Sequence, residues 1–302
     1  MAQVGAPVTP ASVQADARAY RRTSELTMFW EALRRDQLSI ASAVVIGTVA
    51  LAAIFAPWIS PYDPNFADSA LRLKPIGTPG HILGLDGQGR DILSRLIWGG
   101  RVSLATGLVP VAIAGLLSML LGLIAGYVGG KTDAVIMRTL DVFFAFPQVL
   151  LGIAIAGFLG PGMMNVMISI GVVLSPWITR VAYTAVRSAK GQQYVEMAKA
   201  CGANQWQIMF IHILPNCLSP VIVYSTTIVS VMIVLGAGFS FLGLGVQPPT
   251  ADWGVMISDG RTFLSMAPHV SVVPGIVLIV VSMAFNLLGD GFRDALDPRL
   301  RR

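Results

Sequence analysis

The chain has 302 residues, of which 54% are hydrophobic and 12% charged, and its mean hydropathy is +0.69. Soluble domains carry roughly 25% charged residues, so this composition excludes an ordinary soluble domain and identifies an integral membrane protein. The net charge of +5 is accounted for by membrane orientation and anionic lipid, and no nucleic-acid partner is needed.

Residues 1–25 are rich in Ala, Pro, Ser and Thr without apolar period and predict a mobile N-terminal tail. Leu26, Phe29, Trp30 and Leu33 then recur at helical spacing beside Arg34 and Arg35, which predicts an amphipathic surface helix over 26–37. Five charge-free runs follow: Leu38–Tyr62, Val102–Gly130, Val142–Thr179, Ile213–Ala251 and Val270–Gly289. A span needs about 20 residues. The third run therefore holds two helices broken at Gly160-Pro161-Gly162, and six spans are expected. In the fourth run Gly243, Gly245, Pro248 and Pro249 argue against ordinary helix in the second half. With the N-terminus inside, fifteen Lys and Arg fall in cytoplasmic pieces and six outside, so both termini are expected in the cytoplasm. The predicted class is an all-α integral membrane protein divided at 26–100, 101–290 and a C-terminal tail over 291–302.

Between the first two spans lies a segment with Pro61, Pro64, Pro75 and Pro79 and the run Gly84 to Asp91, expected to be a short ordered loop. Asp86 and Asp91 lack the ligand set of a calcium loop, and capping and ion pairing are expected of them. Gly122, Gly126 and Gly130 stand four apart, a small-residue ridge suited to close helix packing and to a partner subunit.

Familiar catalytic constellations fail one by one. Gly130-Lys131-Thr132 ends like a phosphate-binding loop, but Ala125 stands where its first glycine is required. His81, His212 and His269 are scattered without a second ligand at metal-binding spacing, and Gly238-Phe239-Ser240-Phe241 continues with Leu242 where a nucleophile elbow needs glycine. Cys201 and Cys217 lie on or beside a cytoplasmic loop, where no disulfide is expected. Inside the spans only mild polarity remains: Asn165, Ser169, Ser175, Ser225, Thr226, Thr227, Ser230, Ser282 and Asn286. These either line a hydrated passage or bond between helices. Ionisable groups such as Asp141, Arg180 and Asp290 fall at span ends, which disfavours an ion-coupled secondary transporter.

The polar segment 186–215 interrupts this apolar chain. Val195–Ala200 is expected to form a short helix ended by Gly202, and Asn204–Ile213 a second one stopping before Pro215.

Glu196-Met197-Ala198, Gly202 and Leu214-Pro215 resemble the EAA loop of permease subunits of bacterial binding-protein-dependent ABC importers, with Met197 in place of the usual alanine. Leu83-Gly84-Leu85-Asp86 with Gly89 to Arg95, Phe241 to Gly245 with Pro248-Pro249 and Trp253-Gly254, and Asn286 to Arg299 are similar to the dipeptide/oligopeptide/nickel class, C-type member. The resemblance covers 26–299. It implies a type I importer transmembrane domain, an EAA loop at 194–216, and a non-catalytic subunit in the inner membrane. Implied partners are a homologous B-type permease, one or two cytoplasmic ATPases that bind ATP and Mg, a periplasmic or lipid-anchored binding protein, and the lipid bilayer. Implied cargo is di- or oligopeptide, with nickel chelates, glutathione, opines or oligosaccharides as alternatives. Glu196, Ala198, Gly202, Leu214 and Pro215 would form the ATPase-coupling loop. Asn165, Ser169, Ser225, Thr226, Ser230 and Asn286 are the candidate pathway lining. No cofactor is expected on this chain itself.

Overall fold

The computed structural model describes Leu33 and residues 36–296. The expected tail over 1–25, most of the surface helix and the end of the C-terminal motif lie outside them. The long helices are α1 (Gln37–Ile54), α3 (Ile92–Val128), α6 (Met163–Lys190), α9 (Leu214–Phe241) and α11 (His269–Leu296). Shorter ones are α2 (Ala56–Ile59), α4 (Gly130–Phe144), α5 (Gln148–Leu159), α7 (Gln193–Ala200), α8 (Gln205–Gln207) and α10 (Trp253–Gly260). Among the described residues there is no strand, only isolated bridges pairing Thr78 with His81 and Leu85 with Asp91.

Five helices are long and apolar enough to cross a membrane, counting α8, the turn after it and α9 as one. The sixth expected span takes another form. The Gly160-Pro161-Gly162 turn is where the sequence puts it, but α5 before it has only 12 residues and meets α4 at 90°. At 1.5 Å per residue α5 reaches about 18 Å, short of the ~30 Å hydrocarbon core. Pro147 at the break forces the reorientation, because the preceding residue cannot readily stay helical. Amphipathic α4 is fastened to α6 by polar contacts: Arg180 donates to Asp141, Tyr183 Oη donates to Asp133 at 2.9 Å, and Arg187 lies 3.7 Å from Asp133.

α3 is the central mast, packing most extensively on α6 and also on α9 and α1. α3 and α6 run parallel, and Lys190 Nζ at the end of α6 donates to the Tyr127 carbonyl near the end of α3 at 2.6 Å. Gly122 and Gly126 make the contact possible. A Cβ at Gly122 would stand 2.5 Å from Ala182 Cβ, and one at Gly126 2.9 Å from Val186 Cγ1. The ridge is thus consumed inside the chain and is not a free surface for a partner. Gly130 does not belong to it: α3 ends at Val128, and Gly129 and Gly130, both at positive φ, turn the chain into α4 with open space around them. Ser118 Oγ adds a 3.0 Å bond to the Ser175 carbonyl, a polar tie of the kind that holds helices together in lipid.

At the opposite end of α3, the Pro-rich segment is ordered by buried charge. Asp91 caps α3 through the Ser94 amide at 2.7 Å, and its other oxygen lies 2.9 Å from His81 Nδ1. Asp86 accepts from Arg90 Nε at 2.6 Å and lies 3.6 Å from Arg95 Nε, while Arg90 also reaches Asp259 at 3.3 Å. Capping and ion pairing are what the two acids do. As expected, the second half of the fourth run leaves the helix. α9 stops at Phe241, and after a loop the buried α10 tucks between α9 and α11. Asp252 caps α10 through the Gly254 amide at 3.0 Å and accepts from Ser103 Oγ at 2.6 Å, and Trp253 Nε1 donates to the Leu96 carbonyl at 3.0 Å. Burial pushes the Asp252 carboxyl above the usual range, and the Ser103 hydroxyl opposes that shift.

Overpacking a tight contact costs about 1–3 kcal/mol. Gly122→Ala is expected to lower the thermal stability of the detergent-solubilised protein, whereas Gly171→Ala, with nothing within 4 Å of its Cβ, leaves it unchanged or higher; size-exclusion traces after heating read both. Asp86→Ala leaves buried Arg95 without a carboxylate and Arg90 with Asp259 alone, and is expected to cost about 3–5 kcal/mol. Loss of folded protein at equal synthesis checks it.

Candidate functional site

The start of α1 lies against the end of α11, where a Cβ at Gly291 would meet the Ser39 side chain. α6 finishes at Lys190 and α7 begins two residues beyond Gly191. α7 is anchored by Val195, 0% exposed, in a cluster with Ile208, Met209, Ile213 and Cys217. Gly202, at φ +83°, ends it in a left-handed cap. The Ala203 amide returns to the Ala198 carbonyl and the Gly202 amide to the Lys199 carbonyl, both at 3.0 Å, the paired bonds of a Schellman motif. Asn204 and Gln207 then form a reciprocal capping box, each side-chain oxygen accepting from the other's amide at 2.9 Å. The Cys201, Gly202, Ala203, Asn204 and Gln207 amides at this sharp break all have local partners, so the unit is built as a rigid knob.

The second helix departs from expectation. It does not stop before Pro215: α8 passes through a π-helical stretch, Ile208–Ile213, directly into α9, and Pro215 sits in the first turn of α9. Proline lacks an N–H and breaks an α-helical ladder in mid-helix. The wider i→i+5 turn just before it takes up the lost register, so the helix continues through the proline and ties the knob mechanically to a long span.

The outward surface of the knob combines charge with apolar area. Glu196 is 70% exposed on its side chain and lies 3.5 Å from Lys199 Nζ, a loose pair. Met197 is 64% and Trp206 70% exposed, and the Trp206 ring stacks on Phe210 with centroids 5.7 Å apart at 11°. Ile211 is also exposed. Ala198 is half-buried, Leu214 packs partly against the core, and Gly202 and Pro215 are exposed. Trp206, Phe210 and Ile211 were not singled out from sequence. Their signal was there, as aromatic residues at i and i+4 directly after a capping asparagine. In an apolar chain such a pair reads as membrane or core, and only the fold turns it outward.

The polar residues of the spans separate into two groups. Asn165 donates to the Leu159 and Gly160 carbonyls at 3.0 Å each, closing the turn after α5. Ser169 is buried and donates to the Gly152 carbonyl at 2.5 Å. Thr226 bonds back to the Val223 carbonyl at 2.9 Å, and Ser225 is half-buried facing α3 near Gly115. Ser230 and Asn286 are brought together with Ser282 in an open groove of about 540 Å³ between α9 and α11, among Val231, Val234, Ile279 and Met283. The structure therefore unites two of the six candidate pathway residues and disperses the rest.

Residues 118–302 match the family described as binding-protein-dependent transport system inner membrane component, and residues 24–75 match the N-terminal TM domain of oligopeptide transport permease C. The chain belongs to this family of transport-system inner membrane components. The glutathione transport system permease protein GsiD of Pectobacterium atrosepticum is 39% identical over 273 residues, covering 90% of this chain and 91% of the relative. The dipeptide transport system permease protein DppC of Haemophilus influenzae is 40% identical over 282 residues, covering 92% and 96%. The structure described as an inward-facing conformation of the MetNI methionine ABC transporter superposes with a TM-score of 0.55 at 16% identity, covering 67% of this chain and 97% of that one. The fold is that of a type I ABC importer transmembrane domain. The chain is thus a multi-pass bacterial inner-membrane permease subunit without catalysis of its own. Its family works with a further permease, ATPase subunits and a binding protein.

A Cβ at Gly202 meets no atom within 4 Å, so substitution there tests backbone conformation alone. Gly202→Ala is expected to cost about 1–2 kcal/mol locally and Gly202→Asn less, since Asn tolerates the left-handed region better. Amide exchange over 193–207 should accelerate in that order.

Proposed function

We propose that this permease imports di- or oligopeptides, pairing with a homologous B-type permease and receiving cargo from a periplasmic or lipid-anchored binding protein. One or two kinds of cytoplasmic ATPase bind ATP and Mg and drive it through the α7 knob. On this reading both termini and the knob face the cytoplasm, in keeping with the Lys and Arg bias toward that end. The observation that carries the reading is the exposed Glu196, Met197, Trp206 and Phe210 surface on a knob held by a Schellman turn and a capping box. Isolated in water, such apolar area is unfavourable. Buried against a partner it offers the aromatic anchor, rimmed by polar groups, that dominates binding energy at protein interfaces.

The mechanism follows from continuity. The knob passes through the π-helical turn into α9, and α9 forms the Ser230, Ser282 and Asn286 groove with α11. Closure of the ATPases in the ATP-bound state displaces the knob. α9 then moves against α11, and the groove, apposed to the partner permease, opens outward. Hydrolysis resets it. Coupling requires that the knob contact the ATPase differently in the two states, because only differential contact shifts an equilibrium. Peptide cargo is supported by relatives named for dipeptides and for glutathione, itself a tripeptide.

Glu196→Lys reverses the exposed charge without touching a buried contact. It is expected to lower ATP-driven uptake about tenfold or more at equal membrane levels, while the ATPases continue to hydrolyse. Wild-type uptake by this variant would remove Glu196 from the coupling role.

A further inference from the structure

α4 sorts its charges by face. Asp133 and Asp141 both bond to α6: Asp133 accepts from Tyr183 Oη at 2.9 Å and lies 3.7 Å from Arg187, and Asp141 accepts from Arg180. Lys131, Val135, Arg138 and Val142 recur at i, i+4, i+7 and i+11 and so share one side of the helix. All four are exposed, the valines by 67% and 61%. Among the described residues neither of these bases pairs with a carboxylate, since the two acids of α4 are taken by α6. The Thr139 hydroxyl beside them is returned to the Val135 carbonyl at 2.9 Å. What α4 turns outward is a stripe of bases and valines.

The stripe crosses a membrane boundary. Asp141 and Arg180, which pair with each other, stand immediately outside the two ends of the charge-free run Val142–Thr179. Charge inside the bilayer is costly, so this pair marks where the hydrocarbon begins. Val142 lies on the apolar side of the mark and leads to the exposed Phe146, Val149 and Leu150. Arg138 lies about 4.5 Å along the axis on the other side, and Lys131 about two turns beyond it. A base one turn outside the hydrocarbon and a valine just within it match the phosphate and the acyl chain of one kind of molecule. Protein interfaces instead favour aromatic anchors and are depleted in Lys, which describes the knob and not this stripe. We infer that the outward face of α4 is a docking surface for anionic phospholipid, with headgroup phosphates on Arg138 and Lys131 and acyl chain along Val142. The inference rests on the reading that the knob end faces the cytoplasm, because Lys190, just before α7, holds the Tyr127 carbonyl, just before α4. The lipid then belongs to the cytoplasmic leaflet. Through Asp133 and Asp141 it braces the end of α6, from which the knob departs.

The test uses the complete transporter, with its partner permease and ATPases, in phosphatidylcholine nanodiscs. A fluorophore on Ala134→Cys, an exposed neighbour of the stripe, in a Cys201→Ser background, reports quenching by added spin-labelled phosphatidylglycerol or phosphatidylcholine. Phosphatidylglycerol is expected to quench at lower mole fraction, and the preference should shrink as salt is raised. Arg138→Gln and Lys131→Gln should each reduce the preference about fivefold, whereas Arg138→Lys keeps it. Equal quenching by the two lipids overturns the surface, and so does a preference that neither Gln variant changes. A photo-cross-linker at the same position that captures the partner permease or an ATPase assigns the face to protein and overturns it as well. An impermeant maleimide that reaches Ala134→Cys from the outside of right-side-out vesicles overturns the cytoplasmic reading, and the leaflet with it, whatever the quenching shows.

Discussion

The backbone contact between α3 and α6 at Gly122 and Gly126 is the constraint on which the other positions depend. In lipid, apolar side chains gain nothing by leaving the tails for one another, so helices associate through close van der Waals approach and a few hydrogen bonds. The two glycines let Ala182 and Val186 sit against the α3 backbone, and Ser118 and Lys190 tie the pair at intervals along it. That contact sets where α6 ends. The end of α6 in turn sets where α7 emerges, and Val195 locks the knob into the cluster beneath it.

Each end of the molecule solves a different problem. At the α10 end, Asp86, Arg90, Asp91 and Arg95 are all nearly buried, which is tolerable only because the opposite charges lie together, the acids accept from backbone amides and Arg95 donates to the Pro64 and Pro249 carbonyls. The result is a stiff platform in which α10, held by Asp252 and Trp253, cannot shift independently of α3. At the knob end the charges are mostly exposed and weakly paired, and stiffness comes from backbone caps. A surface held rigid by its backbone but free in its side chains suits a docking element, whereas a buried charge network suits a fixed frame.

Between the ends, the π-helical turn before Pro215 joins the knob to α9 without a flexible linker. A helix that simply stopped before the proline would let the knob swing. By absorbing the missing amide in one wide turn, the chain keeps a continuous rod from the exposed Trp206 to the groove at Ser230. Force applied at one can therefore reach the other.

Composition and charge-free runs alone made this a polytopic membrane protein. The Glu196 to Pro215 spacing pointed to its family, and Gly202, as the only residue type at ease at φ +83°, marked the break in the knob. These are local properties: hydropathy, a positive φ and a cap depend on neighbours in sequence. What the sequence left open depended on partners far along the chain. Whether Gly122 and Gly126 faced a second subunit or α6, whether Asn165 and Ser230 lay at a turn or in a groove, and whether Trp206 pointed inward or out were decided by which helices came together. Small and mildly polar residues carry no signal of which neighbour they serve, because close packing and a satisfied carbonyl look the same in sequence whichever helix supplies them. Only the tertiary arrangement chooses among them.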